Sequence, residues 1–488
     1  MARSLERLKL TAAVAAILVT ILPFLIVDHL PLVDLPNHIA RLVIRSELGG
    51  DGPLARFYEW RWVIIPNLAI DLLSYPSQGL IDPQVFVTIS LVLAVIGTYC
   101  GAIAVDRALN GPAWGMSLLV GVFMFHGALR AGFLNYVLGL AVAVPLFAAW
   151  IRCRPRFGFA SGIAFTLAGI AVTLMHLFAF GLYVLCVAGY EIALLLKEKS
   201  LLEGLWRRRF ALSGAGATLL IPLMVILLGP TTGAVSTTMW STLHWKLEAF
   251  TAPVFYSSPW VELPLMLVVL LGLLGGFSTG MLRLRWEMMP VAALLIIAFL
   301  AMPRMLFGSY YADYRLLCGA VFFMVSGLVF SPRSSFWRKA MAAIGITMLV
   351  FRVGSIILEW SAAQPVLKSF DSAMQAVSPG ARLLVLRATS ASVSRDRSVP
   401  VEHIATLPAA RRGVFVGNMF TLDAQQPLRL TAEVRPYYHV GPLVGPPLPL
   451  DRYDYVLAID RPTLPPTSAS LVEIRSAERY VLYRVTNH

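Results

Sequence analysis

About eleven stretches of the chain are apolar and long enough to cross a bilayer, at ~20 residues per span. They lie near 10–27, 84–105, 113–127, 133–151, 158–175, 177–196, 210–228, 262–281, 287–302, 316–331 and 340–358. Lipid offers no partner to an unpaired backbone amide or carbonyl, so a chain with these runs folds as a bundle of membrane helices. Composition agrees. The 488 residues are 58% hydrophobic and only 14% charged, whereas soluble domains run nearer a quarter charged.

The net charge of +13 raises nucleic acid as a partner, but its placement points elsewhere. About seventeen of the forty Lys and Arg fall in short segments that alternate with long loops, the positive-inside signature. These segments are MARSLERLK, DRAL, RCRPR, KEKSLLEGLWRRR, RLRW and PRSSFWRK. Counting spans puts all of them on the side of the N-terminus, which predicts a cytoplasmic N-terminus and an exported C-terminus. No cationic run is interleaved with aromatics, so no nucleic-acid partner is expected. The first apolar run ends in IVDHLPLVD without a small-x-small cleavage site, and it reads as a retained span. Cys100, Cys153, Cys186 and Cys318 lie in or beside apolar runs, with no metal-ligand spacing and no disulfide framework.

Two loops on the outer side are long, 28–82 and 229–261. After Trp360 the composition becomes that of a soluble domain. LLVL, GVFVG, YDYVLAI, LVEI and YVLYRV read as strands, and FDSAMQAV and VEHIATLPAARR as helices. RATSASVSRDRS and the proline-rich VGPPLPLDRY separate them as loops. The expected fold is mostly α: a polytopic membrane helix bundle over 1–358, with a large first extracytoplasmic loop. A small extracytoplasmic α/β domain follows over 359–488.

The segment VDLPNHIARLVIR (33–45) directly follows the first span. On a helix, Asp34, His38, Arg41 and Arg45 share one face, spaced by four, three and four, with Leu35, Ile39, Leu42 and Val43 opposite. That pattern predicts an amphipathic helix on the outer membrane surface, with Pro36 in its first turn. Asp34 is either its N-cap or a general base that takes a proton from an incoming hydroxyl. The arginines either touch lipid headgroups or offset the charge of a departing phosphate.

A single span, then a long outer loop opening on an acidic residue, resembles the GT-C glycosyltransferases. The FHGALRAGFLNYVLGL hairpin, the PRMLFGSYYADYRLL turn before a late span and the exported tail add to the resemblance. It covers roughly 1–358 and, loosely, the tail. It implies transfer of a sugar from a polyprenyl-phosphate carrier, with inversion, to an extracytoplasmic glycan, lipid or protein acceptor, with Asp34 as the catalytic acid of the first loop. The setting it implies is a bacterial inner membrane. The cofactor is unknown: a divalent metal stays open, but the first loop has no DxD or paired acids and no ligand motif.

Further polar groups fall on the outer side as candidate substrate contacts. His126, Arg130 and Asn135 share one hairpin, and His176 sits at the next turn. The 229–261 loop carries Trp240, His244, Lys246 and Glu248 on a second candidate surface helix. Arg304 and Arg315 bracket Tyr310, Tyr311 and Asp313. Arg352 lies about 18 Å along its span at 1.5 Å per residue, and an ionisable group at that depth is a functional candidate. Pairing with Glu359 or snorkelling is its structural alternative. Two other functions compete: a lipid or polysaccharide transporter, disfavoured by the lack of paired halves, and a non-catalytic envelope assembly factor.

Overall fold

The computed structural model describes residues 2–111, 116–227, 229, 238–331, 334–387, 399–422, 424–437, 450–460 and 470–486. The polar run at 388–398 and most of the proline-rich one, 444–449, lie outside these, as does 230–237 of the second long loop. The protein is an integral membrane protein, mostly helical, with a small sheet region toward the C-terminus. It divides into two compact units: Met1–Ile26, Ile64–Ile70 and Thr88–Ile357 form the first, and Val27–Val63, Asp71–Val87 and Leu358–His488 form the second.

Among the described residues, six helices are long and apolar enough to cross a membrane: Lys9–Ile26, Pro83–Asn110, Leu134–Arg156, Leu177–Leu196, Pro259–Ser278 and Ser335–Met374. Shorter apolar helical stretches lie at Met116–Arg130, Phe159–Met175, Leu212–Met224 and Trp286–Ala301. The described part of the stretch near 113–127, from Met116 on, is not one continuous helix. It breaks into turns at Met116–Leu119, Val120–Phe123 and Gly127–Arg130. A Cβ at Gly127 would lie 2.2 Å from the Tyr314 ring, so glycine lets the broken chain meet that side chain. Gly189 serves a similar purpose, since a Cβ there would meet the Val291 backbone at 2.6 Å. Small residues at such crossings let apolar helices pack without a hydrophobic driving force. The late stretch at 316–331 forms the fifteen-residue helix Ala312–Ser326, followed by the strand Leu328–Phe330, which pairs with Leu282–Leu284.

The second unit contains a five-stranded mixed sheet. Its order is Ser470–Ser476, Tyr480–Thr486, Tyr455–Ile459, Arg382–Arg387, Phe415–Val416. Arg382–Arg387 runs parallel to both of its neighbours, and the other pairings are antiparallel. Strands thus occupy the runs read as LLVL, GVFVG, YDYVLAI, LVEI and YVLYRV. FDSAMQAV forms no separate helix, because its first residues end the forty-residue helix Ser335–Met374. Within VEHIATLPAARR only Thr406–Arg411 is helical.

Most of the first long loop, all but Ile64–Ile70, is part of this unit. Tyr58–Trp60 pairs antiparallel with Leu428–Leu430 of the tail, and the Arg61 amide donates to the Pro427 carbonyl at 2.9 Å. Tyr58 is buried, its hydroxyl 3.2 Å from the Val416 carbonyl oxygen and its ring 5.9 Å from that of Phe415. Tyr58→Ala is expected to destabilise the second unit by about 3–5 kcal/mol, and Tyr58→Phe by about 1 kcal/mol. Protease protection of the tail against temperature measures both. Equal losses would mean that the hydroxyl, not the ring, ties loop to tail.

Candidate functional site

Asp34 occupies the N-cap position of the helix Leu35–Glu47, with Pro36 in the first turn as the sequence predicts. Its side chain makes no capping hydrogen bond there. The carboxylate instead lies 3.7 Å from His403 Nε2, with the Asp34 side chain 18% exposed. His403 comes from the tail, and its ring packs edge-on to Phe420, 4.8 Å between centroids. Asp34 is thus a part-exposed acid beside an imidazole, a pairing suited to orienting a carboxylate for proton transfer.

The rest of the stripe points inward, which corrects the expectation of a helix lying on a membrane surface. His38, Arg41 and Arg45 are buried within the second unit, as are Leu35, Ile39 and Leu42 opposite them. The amphipathic pattern reflects two kinds of protein neighbour. The helix packs against Thr406–Arg411, and the buried Asn37 accepts a hydrogen bond from the Phe420 amide at 3.2 Å. Arg41 is fully buried and grips Asp71 bidentately, with Nε to Oδ1 at 2.9 Å and Nη2 to Oδ2 at 2.8 Å. Its Nη1 donates to Gln426 Oε1. Arg41 is therefore a structural tie, with a carboxylate already in its fork.

In the first unit, Arg304, Lys246, Glu248 and Asp313 come together. Arg304 is buried, 2.8 Å from Glu248 Oε2 and 3.5 Å from Asp313 Oδ1, with the Tyr311 ring 4.3 Å away. Asp313 accepts from Ser241 Oγ at 2.6 Å and lies 3.8 Å from the Lys246 ammonium. The helix Leu243–Thr251 forms as expected, capped by Thr242, and it exposes His244 while Lys246 reaches the Phe299 and Met302 carbonyls. The hairpin Met305–Leu306 with Ser309–Tyr310 turns through Phe307 and Gly308, both at positive φ. Arg315 donates to Ser309 Oγ at 2.6 Å and stacks on Phe133.

The remaining candidates have structural partners. His126 Nδ1 accepts from the Leu129 amide, and His176 Nδ1 from the Phe178 amide, so each imidazole caps a helix start. Asn135 fastens Asn67 and the Ile70 amide. Arg130 lies 6.0 Å over the Tyr256 ring. Arg352 is fully buried and pairs with Glu262 at 3.1 Å, while donating to the Phe125 and Val254 carbonyls. Glu262 is an acid the sequence reading did not weigh, and full burial replaces the alternative of snorkelling. Asp71, Glu262, Gln426 and His403 were not singled out in the sequence. For the first two, a lone acid inside an apolar run (LAIDLL, PWVELPL) was the available signal. Among the described residues, no three His, Cys, Asp or Glu side chains group to hold a metal ion.

No family model and no curated protein sequence matches the chain. Among solved structures, it resembles the crystal structure of ArnT from Cupriavidus metallidurans bound to undecaprenyl phosphate, with a TM-score of 0.57 at 12% identity. The match covers 97% of this chain and 97% of that one. The likeness is one of fold and runs over nearly the whole chain.

The histidines give the second unit a pH dependence. Burial pushes His403 down to about 4, and burial with the neighbouring Arg41 and His403 holds His38 well below its ordinary value. Both are neutral in the folded protein while the unfolded chain binds protons from about pH 6.5 downward. Their contribution to stability is complete above pH 6.5 and falls as the pH drops toward 4, with a slope approaching ~1.4 kcal/mol per pH unit per histidine. Thermal unfolding followed from pH 7.5 to 4.5 should show this loss, flattened in His403→Gln. An unchanged slope in the variant would remove His403 as a source.

Proposed function

We propose that the protein is an integral membrane glycosyltransferase of the GT-C kind, moving a sugar from a polyprenyl-phosphate carrier to an extracytoplasmic acceptor with inversion. The observation that carries this reading is the whole-chain likeness to ArnT, a structure with undecaprenyl phosphate bound. The part-exposed Asp34 carboxylate beside His403 supplies a base. In the proposed step, an acceptor hydroxyl attacks the anomeric carbon and Asp34 takes its proton. The bond to the phosphate oxygen breaks, and the carrier phosphate leaves with the electron pair. Arg304 and Lys246, grouped with Glu248 and Asp313 in the first unit, are proposed as substrate contacts of that unit. Arg352 and Arg41 are assigned to structure, because each pairs with a buried carboxylate, whereas the Glu248 partner of Arg304 is 43% exposed. The alternation of basic segments supports a cytoplasmic N-terminus and an exported tail, and the family resemblance implies a bacterial inner membrane as the setting.

Asp34→Asn is expected to lower transfer by about 10²–10⁴-fold while leaving the protein inserted, folded and able to bind undecaprenyl phosphate. The measurement is turnover in nanodiscs against a panel of undecaprenyl-phosphate-linked sugars, beside carrier binding by the same sample. Near wild-type turnover in the variant would remove Asp34 from the chemistry.

A further inference from the structure

Arg45 lies at the far end of the Leu35–Glu47 helix from Asp34, about 16 Å away at 1.5 Å per residue. It is 6% exposed. Its Nη1 donates to the Asp71 backbone carbonyl at 2.9 Å and its Nη2 to Ser74 Oγ at 3.0 Å, both neutral acceptors. Both oxygens of the Asp71 carboxylate are taken by Arg41. The Arg45 Nε is buried with no hydrogen-bond partner. Trp60 and Tyr75 flank the guanidinium, 5.3 and 5.9 Å from their ring centres. Arg45 is thus a nearly buried cation with a donor to spare and, among the described residues, no carboxylate in hydrogen-bond contact.

A cleft of about 240 Å³ opens against it. Ser46, Ser74, Ser77 and Gln78 line it with hydroxyl and amide groups, while Leu80 and Ile81 form an apolar rim, Leu80 being 83% exposed. Asp82 also lines the cleft. Its Oδ1 accepts from the Gln84 and Val85 amides at 2.9 and 3.1 Å, which ties that carboxylate to the start of the following helix. Arg41 and Arg45 are two buried cations that share one carboxylate, Asp71, and the surplus positive charge calls for an anion. The guanidinium fork matches phosphate oxygens, and the exposed leucine and isoleucine suit hydrocarbon chains.

We propose that this cleft binds the phosphate of an acidic lipid. Its distance along the helix from Asp34 sets it apart from the phosphate released in the proposed transfer. The ligand is either a membrane phospholipid headgroup or a polyprenyl phosphate, and the shared chemistry is a lipid-borne phosphate held by Arg45.

The test is native mass spectrometry of the full-length protein, titrated separately with phosphatidylglycerol, undecaprenyl phosphate, phosphatidylcholine and inorganic phosphate. Wild type should retain phosphatidylglycerol or undecaprenyl phosphate over phosphatidylcholine, and Arg45→Gln should weaken that retention by about tenfold. Whichever acidic lipid is retained more tightly identifies the source. The exposed rim supplies variants that do not disturb the buried guanidinium: Leu80→Lys should strengthen retention and Leu80→Glu weaken it. Retention unchanged in Arg45→Gln would overturn the proposal. So would Leu80→Lys and Leu80→Glu shifting retention in the same direction, or displacement of the lipid by millimolar inorganic phosphate, which would assign the cleft to the free ion.

Discussion

The second unit depends on one buried ion pair. Arg41 and Asp71 are both fully buried, and the two parallel hydrogen bonds between them join the helix after the first span to the far end of the same loop. Gln426 extends the tie to the tail. Burial pushes the Asp71 carboxyl above its ordinary value, and the charges of Arg41 and Arg45 oppose that shift. A buried pair of this kind is weak evidence for net stability but strong evidence for a fixed arrangement, since removing one partner leaves the other charge without compensation. With the pair in place, the helix is held at both ends: Asn37 meets Phe420 near its start, and Arg45 meets Ser74 near its end. Asp34 inherits its position from that helix.

The first unit handles its charges in the same manner. Arg352 is enclosed by Glu262 and two backbone carbonyls, and Arg154 by Glu191 at 2.6 Å. Charges in an apolar bundle are costly unless paired. The Arg304 group differs, because two cations and two acids share a small volume among aromatic rings. That surplus of polar groups distinguishes a candidate binding region from a simple tie.

Much of this fold is legible in the sequence. Apolar length located the helices, and β-branched runs located the tail strands, because both signals are local. The spacing of Asp34, His38, Arg41 and Arg45 gave the helix and its polar face. It did not give the direction of that face: a stripe that meets water and one that meets buried partners have the same period. The partners are distant, with Asp71 thirty residues on and Gln426 and His403 in the tail. Pairing of Tyr58–Trp60 with Leu428–Leu430 was equally hidden, since a three-residue strand carries almost no periodic signal. His126 and His176 looked like chemistry at span ends, and they cap helices because an imidazole nitrogen accepts an amide hydrogen as a serine oxygen would.

The most direct test is a double-mutant cycle on Arg41 and Asp71, read as the free energy of unfolding of the second unit together with hydrogen exchange across residues 35–47. Arg41→Leu and Asp71→Leu should each cost about 3–5 kcal/mol, and the double variant much less than their sum, because it leaves no buried charge behind. Exchange in the helix should rise in the single variants and recover in the double. Additive losses, or single variants that exchange like wild type, would contradict the claim that this pair holds the loop, the helix and the tail together.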